Sequence, residues 1–403
     1  MRVYYYYLLI LLFLNIGCTP KPLKLIRRAS VQRNTFKQII PYTPIKRIMV
    51  VKMKLQNGQT YRFIWDTGAS VTVINRKVAT VLGLKPITSM KVIDSRKKSK
   101  RLGMVKLSKV ELGNVKFKNI AALVIDFPQE SVFSCYAEGG IIGTNIIARC
   151  NWTIDYEKQE LTLTNTPFDL QKNPQAIAFK TGFSGRMFFN AQLLGKPIKN
   201  ILFDSGSTGV LDLKTSFGIK SGILKKYPSN KLIDGTTQGI YGTRIDTSYL
   251  LTLDSLKVGK LIKSQANVEI SRFTSTKIGN KVLQHFKIHI DYTHKRMLWL
   301  PSNTTSAQTQ TFGVLFKRDK NGKISIGSLY QPSQAAAEGI KVNEEIVKIN
   351  NKPVKVFFKD KCDFYQWMFN LNKVKRISLT FKNGRKITLE KKPLAQKFWW
   401  PKN

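Results

Sequence analysis

The chain has 403 residues, 67 of them Lys or Arg against 24 Asp or Glu, for a formal net charge of +43. Hydrophobic residues make up 42 % and aromatics 11 %, enough to bury a core, which excludes disorder as the main state. Basic residues exceed acidic ones by 7, 11, 12 and 13 in residues 1–44, 45–166, 167–300 and 301–403, so the excess belongs to the whole surface rather than to one nucleic-acid groove.

Met1-Arg2 precede an apolar and Tyr run from Val3 to Leu14, followed by Asn15-Ile16-Gly17-Cys18. A short basic start, an apolar stretch of this length and a small residue read as a signal peptide or a single membrane anchor. The segment resembles a bacterial lipoprotein signal peptide, departing from it at Asn15, where Leu is usual. The resemblance implies removal of residues 1–17 and lipidation of Cys18. It places the body in the cell envelope, membrane-anchored and facing the periplasm or exterior. Residues 18–44 carry Pro20, Pro22 and basic side chains, and are expected as a tether resting on anionic headgroups. Within them, Leu23 to Ile26 and Ile39-Ile40 are apolar enough to pack on the body.

The cysteines are Cys18, Cys135, Cys150 and Cys362. With Cys18 lipidated, the other three allow one disulfide and an odd thiol. Cys135 and Cys150, the only pair close in sequence, are the expected partners. No spacing suits zinc, so neither metal nor cofactor is expected.

The body begins with short alternating strands at Lys52 to Leu55, Tyr61 to Trp65, Val105 to Leu112 and Ile120 to Ile125, with turns at Asn57-Gly58 and Gly113-Asn114. One short helix is expected within Asn75 to Leu82. This unit is repeated. Tyr61-Arg-Phe-Ile-Trp-Asp66-Thr67-Gly68 matches Lys199-Asn-Ile-Leu-Phe-Asp204-Ser205-Gly206, 138 residues later. Gly140-Ile141-Ile142-Gly143 runs into Asp155-Tyr156 as Thr276-Lys277-Ile278-Gly279 runs into Asp291-Tyr292, 136 residues later. Residues 45–166 and 167–300 therefore read as two copies of one mainly β unit.

One Asp-Ser/Thr-Gly is weak evidence, but two, each after an apolar strand at equivalent places in a repeat, are strong. The chain here resembles the retropepsin-like aspartic proteases over about residues 45–300, which implies two pseudo-symmetric β-barrel lobes. The resemblance implies catalytic Asp66 and Asp204 sharing one water and one proton across a cleft. It implies loop support from Thr67, Gly68, Ser205, Gly206 and Ser207, and apolar-Gly buttresses at Ile142-Gly143 and Ile278-Gly279. Lys277 departs from the apolar residue usual before such a buttress. Ser207, where the first copy has Ala69, is expected to donate to the outer oxygen of Asp204 and make it the better stabilised anion. Flap hairpins are expected at about Lys91 to Met104, with the basic cluster Arg96 to Arg101, and at about Asp234 to Ile245, with Tyr241.

Residues 301–311 read as a linker. Phe312-Gly313-Val314, Ser333-Gln-Ala-Ala-Ala-Glu-Gly339 and Glu345-Ile-Val-Lys-Ile-Asn350 then resemble a bacterial PDZ domain over 312–395, with Asn343-Glu344 where Gly-Asp is usual. That resemblance implies a C-terminal peptide ligand at Phe312, Gly313 and Val314, beside a second helix carrying Tyr365, Trp367, Met368 and Phe369. Residues 396–403 form a tail containing Phe398-Trp399-Trp400. The expected protein is a monomeric aspartic endopeptidase acting on peptides or proteins and not on nucleic acid. The alternative is an inactive envelope scaffold using the same lobes.

Overall fold

The computed structural model describes residues 21–93, 99–127, 131–239, 242–272, 274–302 and 310–394. The signal segment, Cys18 and the aromatic tail lie outside them. The molecule is mainly β, as expected.

In the first half, Ile48–Lys54 and Thr60–Trp65 form a hairpin whose turn uses Gly58 in the left-handed region, φ 81°. The chain then passes through Asp66 into Thr72–Asn75 and the helix Arg76–Val81, capped by Asn75 Oδ1 accepting from the Lys77 amide at 3.1 Å. A long hairpin of Ser99–Leu112 and Val115–Ile125 returns to lie parallel to Thr72–Asn75. Gly140–Ile142 closes the motif, parallel to Thr60–Trp65 and antiparallel to Thr72–Asn75.

The second half repeats this wiring. Lys196–Phe203 leads through Asp204 into Leu211–Lys214 and the helix Thr215–Lys220. Leu261–Ser271 lies parallel to Leu211–Lys214, and Lys277–Ile278 lies parallel to Lys196–Phe203 and antiparallel to Leu211–Lys214. Beneath both halves runs a six-stranded sheet in which Asn151–Asp155 pairs with Phe286–Asp291, Trp152 opposite Ile290 and Ile154 opposite Ile288. One hydrophobic core spans the halves, with Trp65 and Trp152 edge to face at 5.2 Å.

Residues 21–44, expected as a tether, are folded into the body. The helix Lys21–Arg27 buries Ile26, and Lys37–Pro41 pairs with Glu160–Thr164, burying Ile40. The packing expected of Leu23 to Ile26 and Ile39-Ile40 from their apolar character is seen at Ile26 and Ile40, while Ile39 is exposed.

The last part has its own core, built on Phe316, Ile326, Ile349, Phe364 and Leu379. Among the described residues it is joined to the body at two places. Ile324–Gln331 pairs with Asn230–Gly239, Leu232 opposite Tyr330, so the sheet of the second half continues into it. A disulfide links Cys135, on the helix Phe133–Tyr136 of the first half, to Cys362, on the helix Lys361–Asn370. The expected Cys135–Cys150 bond is thus corrected: Cys150 is a free, buried thiol in the core of the first half. Closeness in sequence misled, since the chain fold brings residues 227 apart together instead.

Candidate active site

Both Asp-containing loops are anchored at the aspartate amide in the same way. The Asp66 amide donates to the Ile142 carbonyl and the Asp204 amide to the Ile278 carbonyl, each at 3.1 Å. The Gly143 amide donates to Thr72 Oγ1 at 3.2 Å, and the Gly279 amide to the Val210 carbonyl at 2.9 Å. The apolar-Gly segments are thus hydrogen-bonded to both loops.

The loops lock to each other through buried hydroxyls. The Thr67 amide donates to Ser205 Oγ and the Ser205 amide to Thr67 Oγ1, both at 3.0 Å. Thr67 Oγ1 in turn donates to the Phe203 carbonyl at 2.8 Å, and Ser205 Oγ to the Trp65 carbonyl at 3.1 Å. Asp66 Oδ1 accepts from the Gly68 amide at 2.7 Å and the Ala69 amide at 3.2 Å; Asp204 Oδ1 accepts from the Gly206 amide at 3.1 Å.

Gly68 and Gly206 are required by space rather than by backbone angle, since neither has a positive φ. A Cβ on Gly68 would stand 2.4 Å from Asp204 Oδ1, and a Cβ on Gly206 would stand 2.3 Å from Asp66 Cγ. Each glycine thus lies against the aspartate of the other half, so the two carboxyl groups face one another. Asp66 is half-buried, and Asp204 is 8 % exposed. Burial, followed by the negative charge of Asp204, raises the Asp66 carboxyl well above the usual range, against the amides of Gly68 and Ala69 and the charge of Lys277.

Ser207 does not take the place expected for it. Its Oγ accepts from the Gly209 amide at 3.2 Å, while the outer oxygen of Asp204, Oδ2, accepts instead from Lys277 Nζ at 3.0 Å. The same ammonium lies 3.8 Å from Asp212 Oδ2. An ion pair to Lys277 therefore stands on the outer oxygen of Asp204 where a hydroxyl was expected.

Two further supports escaped sequence reading. Asn145 Oδ1 accepts from the Thr72 amide at 2.8 Å and Nδ2 donates to the Ala121 carbonyl at 2.9 Å. Asn280 Nδ2 donates to the carbonyls of Ser205 at 2.6 Å and Arg47 at 2.7 Å, and its Oδ1 accepts from the Tyr156 hydroxyl at 2.8 Å. Both follow an apolar-Gly pair, the one signal that marked them. Burial lowers the Arg186 guanidinium pKa, and the charges of Asp204 and Asp66 oppose that.

Both expected flap hairpins exist as strand pairs, Thr88–Ile93 with Ser99–Leu112 and Asn230–Gly239 with Gly242–Val258. Arg96, Lys97, Lys98 and Tyr241 lie outside the described residues; Lys100 and Arg101 are on strand Ser99–Leu112, exposed. In the last part, Phe312 and Val314 are core residues, 5 % and 3 % exposed, so their side chains do not line a groove. The Gly313 amide is taken by Thr311 Oγ1 at 3.1 Å.

Residues 51–146 match the family model described as aspartyl protease, a stretch holding Asp66, Thr67, Gly68, Ile142 and Gly143. No curated protein matches the chain.

Proposed function

We propose that the chain is a single-chain aspartic endopeptidase in which Asp66 and Asp204 hold a water between them and hydrolyse peptide bonds without a covalent intermediate. The observation that carries this is the crossed packing of Gly68 on Asp204 and Gly206 on Asp66, which sets the carboxyls face to face. Two carboxyls so placed do not both ionise cheaply and share one proton. The ionised member takes a proton from water, and the protonated member gives its own to the scissile carbonyl oxygen. The pKa values of this cycle belong to the pair. Digestion of a peptide library with and without a transition-state inhibitor of aspartic proteases tests it. Cleavage blocked by the inhibitor supports the reading, and no cleavage at any pH favours the inactive scaffold.

The last part is proposed to be a PDZ-type module over 312–395 that recruits substrate or regulates access. Among the described residues, Val314–Arg318 pairs on one side only, with Ile324–Gln331. The helix Lys361–Asn370 packs beside it, Phe316 and Trp367 ring to ring at 5.1 Å. An extended C-terminus adding as a strand there is the expected mode. Peptides with a free C-terminus should bind the full chain more tightly than their amidated forms; equal binding removes the assignment. A lipid anchor at Cys18 and an envelope location complete the proposal, and a disulfide fits an oxidising compartment.

A further inference from the structure

The repeat breaks at two buried apolar positions. In the first half these are Ile141 and Ile74, 4 % and 0 % exposed. Their counterparts, 136 and 138 residues later, are Lys277 and Asp212, which lie opposite one another. Two apolar residues in one copy are an ion pair in the other, and the lysine reaches past Asp212 to Asp204 Oδ2 at 3.0 Å. Its side chain is only 15 % exposed. Its backbone sits between two neighbouring strands, opposite Leu202 and Asp212, one residue before the carbonyl that anchors the Asp204 amide. The ammonium is therefore fixed on the outer face of one carboxyl and not the other.

We propose that Lys277 is the positioning residue that divides the labour of the pair: it holds Asp204 as the ionised member that takes the proton from water, and leaves Asp66 as the member that carries and donates one. This rests on the reading of the site as a peptidase. The cycle then starts with Asp66 protonated and Asp204 ionised. Water adds to the carbonyl carbon, giving its proton to Asp204 while Asp66 gives its own to the carbonyl oxygen. The tetrahedral diol collapses as Asp66 takes a hydroxyl proton and Asp204 protonates the departing nitrogen. The C–N bond breaks, and both carboxyls return to their starting states.

The groups facing this lysine are Asp204 on its loop, Asp212 on Leu211–Lys214, and Asp66 from the first half. Glu269 lies opposite Asp212 on the neighbouring strand, its charge acting also on Lys281, and Arg186 feels the charges of both aspartates. A cation at Asp204 favours every less protonated state of the pair, so it lowers both limbs of the pH–rate profile, the acidic limb most.

Replacing Lys277 alone leaves two buried carboxyls without their cation, so the test pairs Lys277→Met with Lys277→Met/Asp212→Asn, which removes both charges together. The expected result is an acidic limb moved up by about 1–3 pH units in the double variant. A lowered kcat with an unmoved limb would overturn the proposal, since a merely structural role predicts that. Carboxyl titration of 13C-Asp-labelled protein, with Asp204→Asn to assign the signal, tests the lysine even if no peptide is cut. Asp204 should stay ionised to lower pH in the wild type than in the double variant; equal midpoints contradict the role. Failure of the wild type to cut any peptide would instead count against the peptidase reading, leaving the titration to decide the lysine.

Discussion

Thr67 and Ser205 exchange hydrogen bonds: each amide donates to the other's hydroxyl at 3.0 Å. Both residues are fully buried, so no water replaces a lost partner. Thr67→Ala leaves the Ser205 amide unpaired and should cost about 1–3 kcal/mol. Thr67→Ser, which keeps the hydroxyl, should stay near wild type. Urea denaturation of both variants checks this, and equal losses would remove the hydroxyl from the explanation.

Gly206→Ala should separate activity from stability. Its Cβ would sit 2.3–2.5 Å from the Asp66 carboxyl atoms and displace them. Overpacking of this kind costs about 1–3 kcal/mol, which a domain survives. Displacing a reacting group by about 1 Å costs roughly a hundredfold in rate. Peptidase assays beside thermal melts should show a folded protein with its activity lost; full activity would contradict the crossed packing.

The raised Asp66 carboxyl carries a stability cost with a definite sign. A carboxyl whose folded pKa lies above its unfolded value binds its proton more tightly when folded. Its contribution is full below the unfolded value and falls as pH rises through the window between the two, by up to about 1.4 kcal/mol per pH unit. Asp66→Asn should therefore be more stable than wild type at neutral pH and equal to it in acid. Denaturation across pH 3 to 8 measures the difference; a variant less stable at neutral pH would reverse the assigned sign.

The disulfide gives a test that needs no substrate. Cys135 and Cys362 enclose a long loop, and breaking the bond should cost about 2–4 kcal/mol. Cys135→Ser and Cys362→Ser should each abolish the mobility difference between reduced and unreduced gels, and Cys150→Ser should not. Burial pushes the Cys150 thiol up to about 12, so it should react with a thiol reagent only after unfolding. A mobility difference dependent on Cys150 would refute the pairing.

What sequence made legible follows from what is local or repeated. Asp66 and Asp204, with their apolar-Gly braces, stand out because the same short pattern recurs. Lys277 was visible as a break in that pattern, but its partners were not. Asp212 lies 65 positions earlier and meets it only through strand register, which no local signal reports. Ser207 was assigned the outer oxygen of Asp204 because hydroxyl chemistry suits that place; a longer, charged side chain arriving from the neighbouring strand takes it. Cys362 was missed for the same reason, its partner Cys135 being distant in sequence, and Ile39-Ile40 were legible as able to pack but not as a strand beside Glu160–Thr164.

Activation of one water between Asp66 and Asp204 is the centre of the proposed chemistry. Its most direct measurement is peptide cleavage by Asp66→Asn and Asp204→Asn beside the wild type, with circular dichroism confirming that all three fold. Each substitution should lower kcat/KM by about a thousandfold or more while leaving the spectrum unchanged. Cleavage persisting at the wild-type rate in both variants would contradict the mechanism.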